Sequence, residues 1–217
     1  MHQRLSRMVG AALTVGLMGA VPSTDRTALV ETGQVTGRIV FPDGASGAGV
    51  APTDAVIYLV GDDLASVAPP NGTAGMKAQL DQQNITFIPH VLPVPAGTAV
   101  AISNSDAILH NVHTRSRENR PFNRAQFANM KFAVTFNEPE VVTVSCDVHS
   151  QMSAFIVVVP NTFFTQADRN GAYEIADVPA GTYQLIGWHE KFGTVTTDIT
   201  ITAGQATRAE LKFVTAT

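Results

Sequence analysis

The 217-residue chain contains 45% hydrophobic and 15% charged residues, a balance that excludes an intrinsically disordered protein and supplies material for a core. Its length is enough for one large or two small domains. The formal net charge of −4, without a long basic run, excludes the usual profile of a nucleic-acid-binding protein, and we expect no nucleic-acid partner.

The N-terminus has the layout of a secretory signal peptide. Arg4 and Arg7 precede an apolar run, residues 8–20, which ends in small residues. The run is shorter than the ~20 apolar residues that span a bilayer as a permanent helix. We therefore predict that residues 1–23 are a signal peptide, and that the mature protein is periplasmic or otherwise secreted, without stable membrane insertion. An uncleaved membrane anchor is the alternative.

Beyond this leader, segments rich in β-branched and aromatic residues alternate with turn residues. The predicted strands cover residues 35–41, 55–60, 85–88, 98–102, 132–136, 141–145, 155–159, 173–175, 183–188, 195–201 and 206–213. Turns such as Pro95-Ala96-Gly97 and Asn170-Gly171 separate them. Short strands with this punctuation predict an all-β chain built from sandwiches or barrels. Residues 74–83 are the best, weak candidate for a helix.

Residues 146–152 read CDVHSQM and bring three metal-binding side chains together, those of Cys146, His149 and Met152. A further imidazole, that of His110, lies earlier in the chain, shortly after a predicted turn. One cysteine, two histidines and one methionine form the ligand set of blue-copper electron-transfer sites. The sulfur donors stabilise Cu(I), and the imidazoles serve both oxidation states. The set predicts a copper site whose ligands are His110, Cys146, His149 and Met152.

Each of these ligands also has an ordinary interpretation when it is taken alone. Cys146 is the only cysteine, so an internal disulfide is excluded, and an isolated cysteine is often a small buried hydrophobe. The two histidines would be polar surface residues and Met152 a core residue. The spacing C-x₂-H-x₂-M directly before an apolar strand favours the metal site.

Residues 87–114 read FIPHVLPVPAGTAVAISNSDAILHNVHT. This stretch resembles the plastocyanin/amicyanin family of cupredoxins, with an F-x-P strand, a V-x-x-G turn, an N-x-D turn and a first ligand in His-Asn-Val. The short ligand loop is similar to that of amicyanin and of the cupredoxins described as methylamine-utilisation-like. The resemblance covers about residues 76–159 and implies a cupredoxin Greek-key sandwich there.

The resemblance also implies a role for each site residue. Cys146 would be the thiolate that couples electronically to copper, and His110 the buried imidazole. His149 would be the exposed imidazole through which electrons pass. Met152 would be the long axial ligand that tunes the potential. Asn111 would act in the second shell by tying the two ligand loops together.

Three positions lie outside the family pattern. Ser150 stands where members often have proline after the second ligand histidine, which leaves the rigidity of that histidine and the potential open. His90 and His113 are not in ligand positions, and we expect them to be structural or solvent-facing.

The remainder of the chain resembles a second β-sandwich, the carboxypeptidase-regulatory-like module. Its closing half matches residues 168–175, DRNGAYEI, and 178–183, VPAGTY. Its opening half matches residues 37–44, GRIVFPDG, and 55–59, AVIYL. We predict that residues 33–62 and 160–217 form a split sandwich into which the cupredoxin domain, residues 76–159, is inserted. A plain β extension packed on the cupredoxin is the alternative.

The ligand set and the resemblance predict a type 1 copper protein that transfers single electrons between periplasmic redox partners, such as a cytochrome or a dehydrogenase. Because the protein fills all four copper positions, we expect no enzymatic activity. An enzyme would require that Met152 does not bind. The main alternative is a copper-binding or copper-delivery module without an electron-transfer role.

Overall fold

The computed structural model describes residues 31–42, 49–62, 64 and 78–215. Within this part of the chain the only helical segment is a single 3-10 turn, Pro52–Asp54, and strands make up most of the remainder. The predicted all-β class is therefore confirmed. The weak helix candidate at 74–83 is wrong where it can be compared, because residues 79–82 form a strand. The predicted signal peptide, residues 1–23, lies outside the described residues.

The strands are short and follow one another closely. In chain order they are β1 (Thr32–Val40), β2 (Val56–Val60), β3 (Gln79–Gln82), β4 (Phe87–Ile88), β5 (Val91–Pro95), β6 (Thr98–Asn104), β7 (His110–Arg115), β8 (Asn123–Gln126), β9 (Lys131–Phe136), β10 (Glu140–Ser145), β11 (Ser153–Val159), β12 (Phe164–Gln166), β13 (Ala172–Pro179), β14 (Gly181–His189), β15 (Gly193–Ile201) and β16 (Ala206–Lys212). Among the described residues, no helix is long and apolar enough to cross a membrane.

Strands β3 to β11, residues 79–159, form two sheets that we call the central sandwich. Their strand orders are β5-β11-β10-β7-β8 and β4-β3-β6-β9. Alternate residues point inwards, as expected of strands with one buried face. Val100 and Ile102 from one sheet and Val144 and Ile156 from the other are all fully buried in one core. Because this core extends to the loop after β10, the predicted ligand loop closes one end of the sandwich.

The other strands, within residues 32–60 and 164–212, form the flanking sandwich. Its sheets have the orders β13-β1-β16 and β12-β2-β14-β15. Strand β1 pairs antiparallel with β13 and parallel with β16, and β2 lies between β12 and β14. Among the described residues, no ladder joins these strands to β3–β11. That the two parts are separate domains stays a prediction.

A third apolar cluster lies where the two sandwiches meet. Val56 and Trp188 of the flanking sandwich pack with Val91, Val157 and Val159 of the central sandwich, and all five are less than a tenth exposed. Burial of this apolar surface holds the two sandwiches against each other.

Candidate metal centre

The loop of residues 146–152 joins two paired strands, and the pairing of Ser145 with Ser153 closes it at its base. The Cys146 N–H donates to the Met152 carbonyl at 3.2 Å, and the Met152 N–H donates to the His149 carbonyl at 2.9 Å. Cys146 is 3% exposed and Met152 is 1% exposed, and both belong to the core of the central sandwich. His149 is half-buried. The loop therefore carries all three of its predicted ligands within one tight turn.

The fourth predicted ligand, His110, is the first residue of β7. This strand pairs with β10, so its start lies beside the end of β10 where the loop begins. The His110 Nδ1 atom is 3.0 Å from His149 Nδ1. The Cys146 Sγ atom lies 4.0 Å from His110 Nδ1 and 3.9 Å from His149 Nδ1. One thiol and two imidazoles thus converge on one small volume, and Met152 lies on the same loop.

The far side of the His110 ring determines which nitrogen faces this volume. His110 is fully buried, and its Nε2 lies 2.8 Å from Oδ2 of Asp106. A carboxylate only accepts hydrogen bonds, so Nε2 carries the proton and Nδ1 is left with a free lone pair. The lone pair points towards Cys146 and His149.

Asp106 is itself fixed by the backbone. Its carboxylate accepts the N–H of Asn84 at 2.7 Å and the N–H of Ile85 at 2.9 Å. Burial raises the pKa of Asp106, but the hydrogen bonds from Ile85, His110 and Asn84 outweigh it and hold this pKa below its usual value. The carboxylate is therefore ionised at neutral pH.

This contact also explains a difference from the predicted strand at 85–88. Asn84 and Ile85 have φ values of 55° and 56°, in the left-handed region that a β-branched residue rarely adopts. The two N–H groups that point at Asp106 offset the strain, and the strand is reduced to Phe87–Ile88.

Asn111 links the two segments that carry the ligands. Its Oδ1 accepts the backbone N–H of Asp147 at 2.6 Å, and its Nδ2 donates to the Asp147 carboxylate at 3.0 Å. Asn123 and His113 also donate to this carboxylate, at 2.7 Å and 2.9 Å. These bonds, that of His113 first, lower the pKa of Asp147. The loop is thus held against β7 by polar contacts as well as by its own turn.

The two other histidines of the central sandwich do not join the donor set. His113 pairs with Asp147 on the surface, and His90 pairs with Glu190 at the junction of the sandwiches. Sequence reasoning did not single out Asp106, although it belongs to the N-x-D turn and stands four residues before His110. That spacing was the available signal.

The donor set fits copper on its own chemistry. A thiol that is 3% exposed and two imidazoles with converging Nδ1 atoms give soft and borderline donors in a nearly dry pocket. The ionised Asp106 behind His110 provides the outer-shell carboxylate that metal-binding histidines commonly have. The roles of His110, Cys146, His149 and Met152 as ligands stay a prediction.

Comparison with protein families gives one match in the second half of the chain. Residues 148–209 match the model of polysaccharide lyase family 4, domain II, a fibronectin-like β-domain. The match covers less than half of the chain, starting in the ligand loop and continuing into β16. The likeness of the flanking sandwich to the carboxypeptidase-regulatory-like module stays a prediction. Comparison with curated protein sequences gives no match.

Solved structures similar to parts of this chain include copper proteins. A copper-containing nitrite reductase from Thermus scotoductus SA-01 is 22% identical over 39% of this chain and 22% of its own, with a TM-score of 0.37. A purple cupredoxin from Nitrosopumilus maritimus is 22% identical over 37% of this chain and 98% of its own, with a TM-score of 0.33. An oxidised amicyanin mutant is 20% identical over 48% of this chain and 98% of its own, with a TM-score of 0.36.

Proposed function

We propose that this protein is an exported type 1 copper protein that transfers single electrons between redox partners. One observation carries the proposal, namely that Cys146 Sγ, His110 Nδ1 and His149 Nδ1 lie within about one metal coordination sphere of each other. The export rests on the signal peptide predicted for residues 1–23, and it points to the periplasm or another secreted location.

The four residues would bind copper with different strengths. His110, Cys146 and His149 would supply the strong donors, and Met152 a weak thioether donor. The bound metal would supply a Cu(II)/Cu(I) couple, which exchanges one electron. The surrounding hydrogen bonds already hold the donors in place, so little movement is required when the charge changes.

Two features favour electron transfer over catalysis. Met152 is 1% exposed and lies on the ligand loop, and its thioether would fill the position that an enzyme would leave open to a substrate. His149, in contrast, is half-buried, and the apolar side chains of Val148, Ile108 and Leu109 next to the ligands are 40–53% exposed. A small apolar surface around one exposed ligand suits brief docking of a redox protein, such as a cytochrome or a dehydrogenase.

The test is the absorption spectrum of the full mature chain after addition of Cu(II). An intense thiolate-to-Cu(II) band in the red that reductant bleaches and oxidant restores would support the proposal. Cys146→Ser should abolish this band while the far-UV circular dichroism stays the same, because a hydroxyl does not replace a soft thiolate. Ala176→Ser, which introduces the same residue at an exposed position of β13, is the matched control.

The remaining outcomes separate the alternatives. Copper binding without a red band would favour a copper-binding or copper-delivery module. A blue Cys146→Ser variant would show that the donor set is wrong.

A further inference from the structure

A second group of metal-binding side chains lies where the two sandwiches meet. Asp54 belongs to the 3-10 turn, Glu190 to the turn between β14 and β15, and His90 to the segment between β4 and β5. One ligand atom from each lies within 4.8 Å of the other two, and all three residues are half-buried. The first two belong to the flanking sandwich and the histidine to the central one.

The His90 ring is oriented so that one nitrogen points into this group. Its Nδ1 lies 3.1 Å from the backbone carbonyl of Ser153, an atom that only accepts, so Nδ1 carries a proton. Its Nε2 lies 3.1 Å from Oε2 of Glu190. A neutral His90 would therefore set a lone pair against a carboxylate, which is unfavourable. Either a second proton or a cation must lie between the two atoms.

The third member, Asp54, makes the negative charge of the group larger. Within the described part of the chain, no donor hydrogen-bonds to the Asp54 carboxylate, whereas the nearby Lys191 ammonium donates to the Gly49 carbonyl at 2.7 Å. Burial raises the pKa of Asp54, and the negative charge of Glu190 adds to the rise, while His90 lowers it. Two carboxylates thus share one histidine, with the Lys191 ammonium as a further positive charge nearby.

We propose that Asp54, His90 and Glu190 bind a divalent metal ion of the Zn²⁺ type. One imidazole nitrogen and two carboxylate oxygens are a donor set that Zn²⁺ accepts, with water in the remaining position on the solvent side. The Ser153 carbonyl is the outer-shell partner that holds the His90 ring, as is usual for metal-binding histidines. His90 and Glu190 side chains are 33% and 20% exposed, which leaves a path for the ion.

The site would act as a clamp between the sandwiches. Its ligands come from both of them, so metal binding would stabilise their contact beyond the burial of the Val56 and Trp188 cluster. The site shares no residue with the His110 group and does not depend on the proposed electron transfer.

The test is titration of Zn²⁺ into the full mature chain carrying Cys146→Ser and His149→Ala, which removes the competing donors. We expect one Zn²⁺ per chain by calorimetry and a rise in Tm on binding. Asp54→Asn and Glu190→Gln should each weaken Zn²⁺ binding by roughly tenfold or more, since even outer-shell losses cost metal sites that much. Glu174→Gln, which removes an exposed carboxylate from β13, is the matched control and should leave the affinity unchanged.

Two results would overturn the proposal. The first is that no Zn²⁺ binds at millimolar metal, or that Asp54→Asn and Glu190→Gln leave the affinity for Zn²⁺ unchanged. The second result would come from the ¹⁵N chemical shifts of His90, measured in a chain in which Asp54, His90 and Glu190 are all unsubstituted. Coordination at Nε2 on addition of Zn²⁺ supports the site, and an imidazolium that persists shows a simple ion pair. This second measurement decides the question if a ligand variant does not fold. Neither result bears on the copper site.

Discussion

Replacement of Asp106 by asparagine tests how the fold tunes the proposed copper site. The change keeps the size of the side chain but removes its negative charge and one of its acceptor oxygens. The Asp106 carboxylate lies 2.8 Å from Nε2 of His110 and is 15% exposed. A negative charge behind a ligand stabilises Cu(II) more than Cu(I), so its removal should raise the reduction potential.

The magnitude follows from the distance across the imidazole ring. The Asp106 carboxylate would lie about 7 Å from a copper ion bound on the other side of the ring. In an effective dielectric of ~20, its charge would interact with the unit charge that separates Cu(II) from Cu(I) by about 2.4 kcal/mol, which is about 100 mV for one electron. Salt and partial exposure screen some of this interaction. We therefore expect the potential of Asp106→Asn to rise by roughly 50–100 mV.

The assay is spectroelectrochemical titration of the red absorption band of the full copper-loaded protein. Asp198→Asn is the matched control, because Asp198 is an exposed aspartate on β15 and its loss changes the net charge equally. A shift in Asp106→Asn no larger than that in the control would refute the electrostatic role of Asp106.

Three further predictions concern the axial ligand, acid stability and the split sandwich. Met152→Leu should keep the blue colour and raise the reduction potential, because a weak donor to Cu(II) is lost. The potential is measured by the same spectroelectrochemical titration, and an unchanged value would show that Met152 is a packing residue. Burial raises the pKa of Glu140, but hydrogen bonds from Ser116 and the 117–119 turn lower it from 4.5 to about 2. The stability that Glu140 contributes is therefore present above about pH 4.5 and lost as the pH falls towards 2. As the pH is lowered through this window, the Tm of Glu140→Gln should fall less steeply than that of the unsubstituted protein. Equal slopes of Tm against pH would contradict this role of Glu140. Deletion of residues 160–217 should make residues 33–62 sensitive to protease without loss of the blue band, because among the described strands β1 and β2 pair with β12, β13, β14 and β16 and with no strand of the central sandwich. Full protection would place residues 33–62 with the central sandwich.

The fold class and the candidates for the donor set were accessible from the sequence because both depend on local patterns. Alternation of β-branched residues with turn residues indicated strands. The spacing of Cys146, His149 and Met152 placed three donors on one loop, and a loop of seven residues between paired strands keeps them close in any antiparallel arrangement.

The outer parts of the site depend on contacts between distant segments, which no local pattern reveals. Ile85 has a high strand propensity, yet its N–H turns towards Asp106, twenty-one positions away, and leaves the β region. Similarly, Asp54, His90 and Glu190 come from three separate parts of the chain. The sequence pattern left His90 as a structural or solvent-facing residue, because only the packing of the two sandwiches brings the carboxylates to it.

The way the site is held also argues for where electrons would enter. His110 is fully buried, and the Asp106 carboxylate fixes the orientation of its ring through the 2.8 Å contact with Nε2. Cys146 is tied to Asn111 through the backbone N–H of the next residue. His149 differs, because it is half-buried and is followed by Ser150, where the family it resembles often has a proline. Exchange with a partner should therefore pass through His149, while the contact of Asp106 with His110 and that of Asn111 with the ligand loop hold the buried side of the site in place.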